Sequence, residues 1–568
     1  MARSIVKSLY GFCLFSTLLS TVASSPAVPF EAGVPKRGAV ASQNDICTKI
    51  GIQLLQDGGN AADAQVGTVL CVGTLGMFHS GVGGGGFMLV RSANGTYEVI
   101  DFRETAPAAA FQDMFKENPE MSTLGGLASG VPGELRGLEY LHKHYGVLSW
   151  EHVVAPAVKL AREGWQVYED MIEIFALTMP NTDFLVNDPA WAIDFAPNGT
   201  LVKLGDTMTR KRYADTLEVI GKQGVDAFYT GAIAQATVAA VQAANGTMTL
   251  ADLKNYTVAL RKPLQIQYGK YKLTSTSAPS SGAVALSALN TVSGYEGFFS
   301  DPSQNNISYH RLDEAIRFAY GQRTKMGDPS FVAGMEDYTE QMISLATGNL
   351  TRSKISDFRT QNVSYYDPEG LETINTPGTS QIVSADASGL AISMTTTINL
   401  LFGSRVIVPE TGVIMNNEMG DFSIPGISNS FGYIPTPANY VRPGKRPLSS
   451  ISPIIAELDE NLYLALGAAG GSRITTANIQ NTVYLLSEGL NCHDALAKPR
   501  IHDQLNPNQV EFEWSFDNTT VAYMKSIGAN VTWVAPGASD AQAIRLLPNG
   551  TFEAAGEPRQ KNSGGLAV

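Results

Sequence analysis

Gly378-Thr379, inside the stretch 376–399, is the pair in this chain with the most chemistry to offer. A hydroxyl directly after a glycine can attack that glycine's own carbonyl, and glycine tolerates the strained backbone such an attack requires. If the bond opens there, Thr379 becomes an N-terminus carrying a nucleophile and a base on one residue, the threonine-with-amine way of activating a hydroxyl. A free α-amine titrates at about 7.7 to 8.0 and serves as a base near neutrality, whereas a lysine has to be lowered by roughly 3 units to match it. The same residues also read as an ordinary threonine-rich hairpin, with strands Ser380 to Ala385 and Leu390 to Asn399 around the turn Ala387-Ser388-Gly389.

Other groups could complete such a site. The expected strand Leu462 to Leu466 runs into Gly470-Gly471, with a helix from about Thr475. Paired glycine amides near a helix N-terminus suit an oxyanion, although a plain strand-to-helix turn uses the same residues. Upstream, the hairpin from Phe87 to Phe102, turned at Asn94-Gly95, delivers Arg103. A guanidinium fork fits a carboxylate; a lone arginine at a strand end is otherwise a surface charge.

Gly378-Thr379-Ser380, Thr397-Ile398-Asn399, Asn416 to Phe422, Pro447-Leu448-Ser449-Ser450 and Gly467 to Gly471 resemble, in that order, the motifs of the γ-glutamyltranspeptidases, a likeness that runs from about Gly38 to the C-terminus. The resemblance implies an α+β fold, the αββα sandwich of the N-terminal-nucleophile hydrolases, autocleaved into a large subunit (24–378) and a small catalytic subunit (379–568) that stay together as a heterodimer. It implies Thr379 as nucleophile, Thr397 as its hydrogen-bonding support, and Gly470 and Gly471 as oxyanion donors. It places Arg103, Ser449 and Ser450 at the substrate carboxylate and Asn399, Glu418 and Asp421 at its ammonium. A γ-glutamyl donor such as glutathione would form an ester on Thr379 and pass to water, an amino acid or a dipeptide, with no metal or organic cofactor. One residue departs from the pattern: the family commonly has His two places after the nucleophile, where this chain has Gln381. Glutamine donates and accepts hydrogen bonds, so self-cleavage is expected to proceed. The segment Ser428 to Tyr440 is expected to cover the pocket, with Tyr433 as its gate. Two rivals share the fold: a related amidase such as a cephalosporin acylase, and a secreted glycoprotein that no longer catalyses. Glu418 and Asp421 alongside Arg103 favour a glutamyl head group over plain acyl groups.

The elements that must position these residues are partly legible. Ser42 is expected to cap a helix with Cys47, Ile50, Leu54 and Leu55 on one face, and Asn60 to start a second helix reaching about Cys71. His79 to Gly86 satisfies Gly-x-Gly-x-x-Gly by letter, but a strand follows it where a dinucleotide site needs a helix, so close backbone packing is the preferred reading. From Ser129 to about Ile343 the chain reads as mainly helical, with clear helices at Trp150 to Glu163 and His310 to Tyr320, and offers little chemistry. His142-Lys143-His144 reads as a solvated helix end, since no third ligand stands at metal spacing. Residues 357–378 read as an exposed linker into the cleavage point.

Composition sets the compartment and excludes some partners. The 568-residue chain carries a net charge of −13 with no basic run, which argues against nucleic acid and anionic membrane surfaces. Arg3 and Lys7, the apolar run Leu9 to Leu19 and the small residues to Ser24 read as a signal peptide over residues 1–23, with an uncleaved anchor as the alternative. Ten Asn-x-Ser/Thr sequons follow it and favour the secretory pathway, to a secreted, cell-surface or vacuolar destination. In an oxidising compartment Cys47 and Cys71, on neighbouring expected helices, are expected to pair and Cys492 to stay buried; three free thiols is the other possibility.

Overall fold

The computed structural model describes residues 37–179, 182–370, 378–427 and 435–568; Tyr433, the expected gate, lies outside them. Two antiparallel sheets are stacked face to face between helical layers. The seven-stranded sheet runs edge to edge as Gly564–Ala567, Gly38–Ser42, Ser380–Asp386, Ala391–Thr397, Gly85–Arg91, Tyr97–Asp101 and Ala259–Arg261. The six-stranded sheet runs as Phe552–Ala555, Asp540–Leu546, Asn461–Ala469, Ile454–Leu458, Tyr271–Ser275 and Leu264–Tyr268. This is the expected αββα sandwich.

The strand after Thr379 shows why the layers form. Val383 and Ala385 meet Ile455, Ala465 and Ile544 between the sheets. Ile382 points the other way, into the helical layer with Leu54, Val66 and Leu70. Every residue of Ser380–Asp386 is buried, so the strand packs both faces with small, apolar or hydrogen-bonded side chains rather than turning one face to solvent. Its hydroxyls are bonded within the core: Ser384 Oγ donates to Ala61 O at 2.8 Å.

Helices Asp45–Gln56 and Ala61–Leu75 pack on the outer face of the first sheet. The first is capped by Asn44, whose side chain accepts from Ile46 N, and not by Ser42, which ends a strand. Asn60 caps the second and forms a reciprocal box with Asp63. Cys47 and Cys71 join these helices as a disulfide, with Cα atoms 5.3 Å apart, and Cys492 is buried as a free thiol. Gly282–Val292, Asn305–Arg323 and Arg473–Leu486 cover the second sheet. Trp150–Glu163 ends at Gly164 as expected.

The region expected to be mainly helical contains five strands: Trp165–Gln166 and Thr207–Met208 pair with each other, and Ala259–Arg261, Leu264–Tyr268 and Tyr271–Ser275 join the two large sheets. Leu264, Ile266 and Tyr268 are buried while Gln265 and Gln267 are exposed, a period-two pattern too short to stand out among the surrounding helices. The glycine run before Gly85–Arg91 is a close-packing device, as expected: a Cβ on Gly84 would lie 2.0 Å from Thr397 O.

One buried ion pair bolts the sheets together. Arg91 Nε lies 2.7 Å from Glu457 Oε1, and both side chains are almost wholly buried. Removing one partner leaves the other charge stranded, so Glu457→Gln is expected to cost about 3 kcal/mol of stability. Urea unfolding checks this; an unchanged midpoint would mean that the pair contributes nothing.

Candidate active site

Thr379 sits just ahead of its strand with φ 155°, and Gly378 has φ 116°. A β-branched residue in that region stores about 1 to 3 kcal/mol of strain at the bond proposed to break. Only glycine fits at 378, because a Cβ there would come within 1.9 Å of Asn399 O. Thr379 is 5% exposed, its carbonyl accepts from Gln43 Nε2 at 3.2 Å, and the next residue is held by Ser80 Oγ, which donates to Ser380 Oγ at 3.1 Å.

Thr397 ends the neighbouring strand, and its Oγ1 accepts from Asn399 N at 2.7 Å. Asn399, at φ 72°, donates through Nδ2 to Asn417 O at 3.1 Å. Asn417 fastens this turn by accepting from Leu400 N and donating to Thr123 O. Asn416 donates to Gly83 O and Gly130 O and accepts from Glu418 N. Two asparagines thus set the loop that carries Glu418 and Asp421.

Arg103, 1% exposed, forms ion pairs with Glu418 through Nη1 and with Asp421 through Nη2, and Nη2 also donates to Leu448 O at 3.3 Å. Burial works against its charge, but Glu418 and Asp421 outweigh burial, so its pKa ends above the ordinary arginine value. Burial drives the Glu418 carboxyl well above the usual carboxylate range, with Arg103 pulling it back. Burial also raises Glu104 to about 8 and Glu134 to about 8; Glu134 accepts from the Thr396 hydroxyl. Arg103 thus stands among several carboxyls that burial pushes toward their neutral form.

Ser449 and Ser450 approach from the segment before Ile454–Leu458. Ser449 Oγ accepts from Ile451 N at 3.2 Å. Ser450 Oγ accepts from the buried Arg323 Nη2 at 3.2 Å, and Arg323 Nε donates to Ser281 Oγ at 3.0 Å. Gly470 (φ 118°) and Gly471 (φ 62°) turn the chain from strand Asn461–Ala469 into helix Arg473–Leu486.

Two cavities meet at Gly378 and Thr379. One, of about 20 Å³, is lined by Thr379, Thr397, Asn399, Arg103, Glu418, Asp421, Ser449, Ser450 and Gly471. The other, about 530 Å³, is lined by Thr379, Gly470, Gln43, Asp170, Arg473 and Arg559 among others. All ten expected site residues therefore line one cavity or the other. The smaller has room for about one water, with Arg103 closed onto its two acids. Gln381 lines neither cavity; it is buried between the sheets.

Sequence reading missed Gln43, Arg323 and Glu104. Gln43 and Arg323 lie far from Thr379 and Ser450 along the chain and carry no local signature. Glu104 stands beside Arg103, but its burial is not visible in the sequence. Asn416 and Asn417 stood inside a quoted motif without a role.

The family described as Gamma-glutamyltranspeptidase matches residues 47–567. A glutathione hydrolase proenzyme of Arthroderma benhamiae is 55% identical to this chain over 98% of both. A glutathione hydrolase of Aspergillus flavus is 49% identical over 95% of this chain and 91% of its own. Among solved structures, cephalosporin acylase from Bacillus halodurans superposes with a TM-score of 0.81 at 25% identity, covering 96% of this chain and 99% of its own.

Arg103→Ala removes the cation that offsets burial at Glu418. The folded carboxyl is then held further above its unfolded value; while both proteins keep Glu418 protonated when folded they lose stability with pH alike, and the extra cost in the variant appears only as pH rises past the wild-type folded value, itself well above the usual carboxylate range. Thermal melts of wild type and variant are expected to show a stability gap that is flat through the usual carboxylate range and widens only at higher pH; a gap that narrows, or stays flat throughout, would contradict the assignment.

Proposed function

The chain belongs to the γ-glutamyltranspeptidase family, and from that membership we propose how its residues divide the work. The protein is a glutathione hydrolase and γ-glutamyltransferase, made as a precursor that cleaves itself into two associated subunits. One observation carries the assignment of residues: the hydroxyl of a strained Gly-Thr pair shares a single small cavity with one guanidinium and two acids.

In maturation, Thr379 Oγ attacks the Gly378 carbonyl, the C–N bond breaks to release the Thr379 amine and leave an ester on Oγ, and water hydrolyses that ester to free the Thr379 hydroxyl and a Gly378 carboxylate. The subunits are then 24–378 and 379–568. In turnover, Thr379 Oγ attacks the γ-carbonyl of the donor while the Thr379 amine takes the proton. The Gly470 and Gly471 amides hold the oxyanion. The proton passes to the departing amine as the C–N bond breaks, and the γ-glutamyl ester is released by water or by the amine of an acceptor.

The closed ion pair explains the choice of head group. An α-amino acid brings its own carboxylate and ammonium, so it can part Arg103 from Glu418 and Asp421 and leave each charge with a new partner. Arg103, Ser449 and Ser450 then face the carboxylate, and Asn399, Glu418 and Asp421 the ammonium. A plain acyl group would separate the same charges and pair none of them. This favours a glutamyl donor such as glutathione over an acylase substrate. The larger cavity, reached from the other side of Thr379, receives the leaving amine and then the amino acid or dipeptide acceptor.

A secretory route accords with the sequons: nine of the ten asparagines are exposed, while Asn306 is half-buried and accepts from Thr520 Oγ1. Among the described residues no helix is long and apolar enough to cross a membrane.

Mass spectrometry with N-terminal sequencing of the deglycosylated protein is expected to find a fragment beginning at Thr379, and Thr379→Ala to leave an intact, inactive chain. A cut elsewhere would overturn the nucleophile. Arg103→Lys keeps the charge but loses the planar fork, and is expected to raise KM for a γ-glutamyl anilide by about tenfold or more with a smaller change in kcat. An unchanged KM would remove Arg103 from the carboxylate.

A further inference from the structure

Gln381 has its amide fully engaged. Its Nε2 donates to Ser393 Oγ at 2.9 Å and to Ile382 O at 3.2 Å, and its Oε1 accepts from Thr395 Oγ1 at 2.5 Å. Ser393 Oγ donates in turn to Leu466 O at 2.9 Å, across the gap to the second sheet. At that level the opposing strand has Gly467, and a Cβ there would lie 2.3 Å from Gln381 Nε2, so the amide rests directly on the backbone of strand Asn461–Ala469. That same strand leads, through Ala469, into Gly470 and Gly471. A continuous path of hydrogen bonds and backbone contact thus joins the strand that begins after the nucleophile to the strand that ends at the oxyanion glycines. An apolar side chain of similar size would fill the space but would take the amide partner from two buried hydroxyls.

We propose that Gln381 is a positioning residue that sets the spacing between Thr379 and the Gly470-Gly471 turn, through Ser393 and Leu466, in both self-cleavage and γ-glutamyl transfer. The proposal rests on the roles given to Thr379 and the two glycines above. Gln381 lines neither cavity, so it acts on the reaction only through the strands it joins. The groups bonded to it or pressed on it, Ser393, Thr395, Ile382 and Gly467, carry no charge, and a neutral amide keeps this spacing independent of pH.

The test compares wild type with Gln381→Met, Ser393→Ala, the double variant and Gln381→His, reading the rate of self-cleavage by mass spectrometry and kcat and KM for a γ-glutamyl anilide. Gln381→Met is expected to lower kcat about tenfold or more and leave KM within about twofold, because the spacing matters at the transition state while the head-group pocket is untouched. The double variant is expected to lose much less than the two single losses combined, since both act on one path. Gln381→His is expected to lose activity relative to wild type as pH falls, because a protonated imidazole cannot accept from Thr395. Wild-type kcat and cleavage rate in Gln381→Met, or fully additive losses, would overturn the proposal. If Gln381→Met does not fold, Ser393→Ala decides: a wild-type kcat and cleavage rate in that variant overturns the proposal. If wild type cleaves itself but does not attack the anilide, the substrate reading fails on its own, and the self-cleavage rates still judge Gln381.

Discussion

The strand that begins after Thr379 is hydrogen-bonded on both edges and buried on both faces, and the rest of the site depends on that constraint. Ser380–Asp386 pairs with Gly38–Ser42 on one side and Ala391–Thr397 on the other. A one-residue slip would exchange its inward and outward faces, and both are packed, so the register has no freedom. Thr379 is consequently delivered to a fixed point at the mouth of the sandwich. Thr397 arrives beside it because Gly84 lets the neighbouring strand approach its carbonyl. The strain at Gly378-Thr379 can persist because everything downstream of it is immobilised.

Charge is organised around the same point. Arg103 is the cation that lines the small cavity, and Glu418 and Asp421 close on it. Burial pushes Glu418 as well as Glu104 and Glu134 toward their neutral forms, which leaves Arg103 less fully neutralised than a count of carboxyls suggests. The arrangement pairs its charges internally, and the proposed ligand, bearing one charge of each sign, would offer each of them a new partner. The proposed recognition of an α-amino acid head group is then an exchange of partners rather than the filling of an empty hole. Arg323, reaching Ser450 from a helix of the outer layer, holds the hydroxyl side of the pocket in place.

On the proposed roles, the two cavities give the reaction its direction. The smaller one is proposed to hold the part of the substrate that stays on the enzyme as an ester, and the larger one to serve the parts that leave and arrive. Thr379 stands on the wall between them, with Gly471 lining the first and Gly470 the second. A nucleophile so placed can be acylated from one side and deacylated from the other without the bound head group moving.

By itself the sequence determined whatever depends on residue type and near neighbours. Gly378-Thr379 could be recognised because the chemistry needs those two residues adjacent. The hairpin 380–399, helix Trp150–Glu163 and the turn at Gly470-Gly471 could be placed because periodicity and glycine act locally. The helix start at Asn44 rather than Ser42, and the short strands between Ala259 and Ser275, escaped because the competing local signals were of equal strength. Only the tertiary structure decided which distant groups converge. Gln43 meets the Thr379 carbonyl across 336 positions, Arg323 stands behind Ser450, and Gln381 turns from an apparent departure at the nucleophile into a link between sheets. The physical reason is that a side chain's partners across a sandwich are set by how whole layers stack, and stacking depends on every residue of the interface at once.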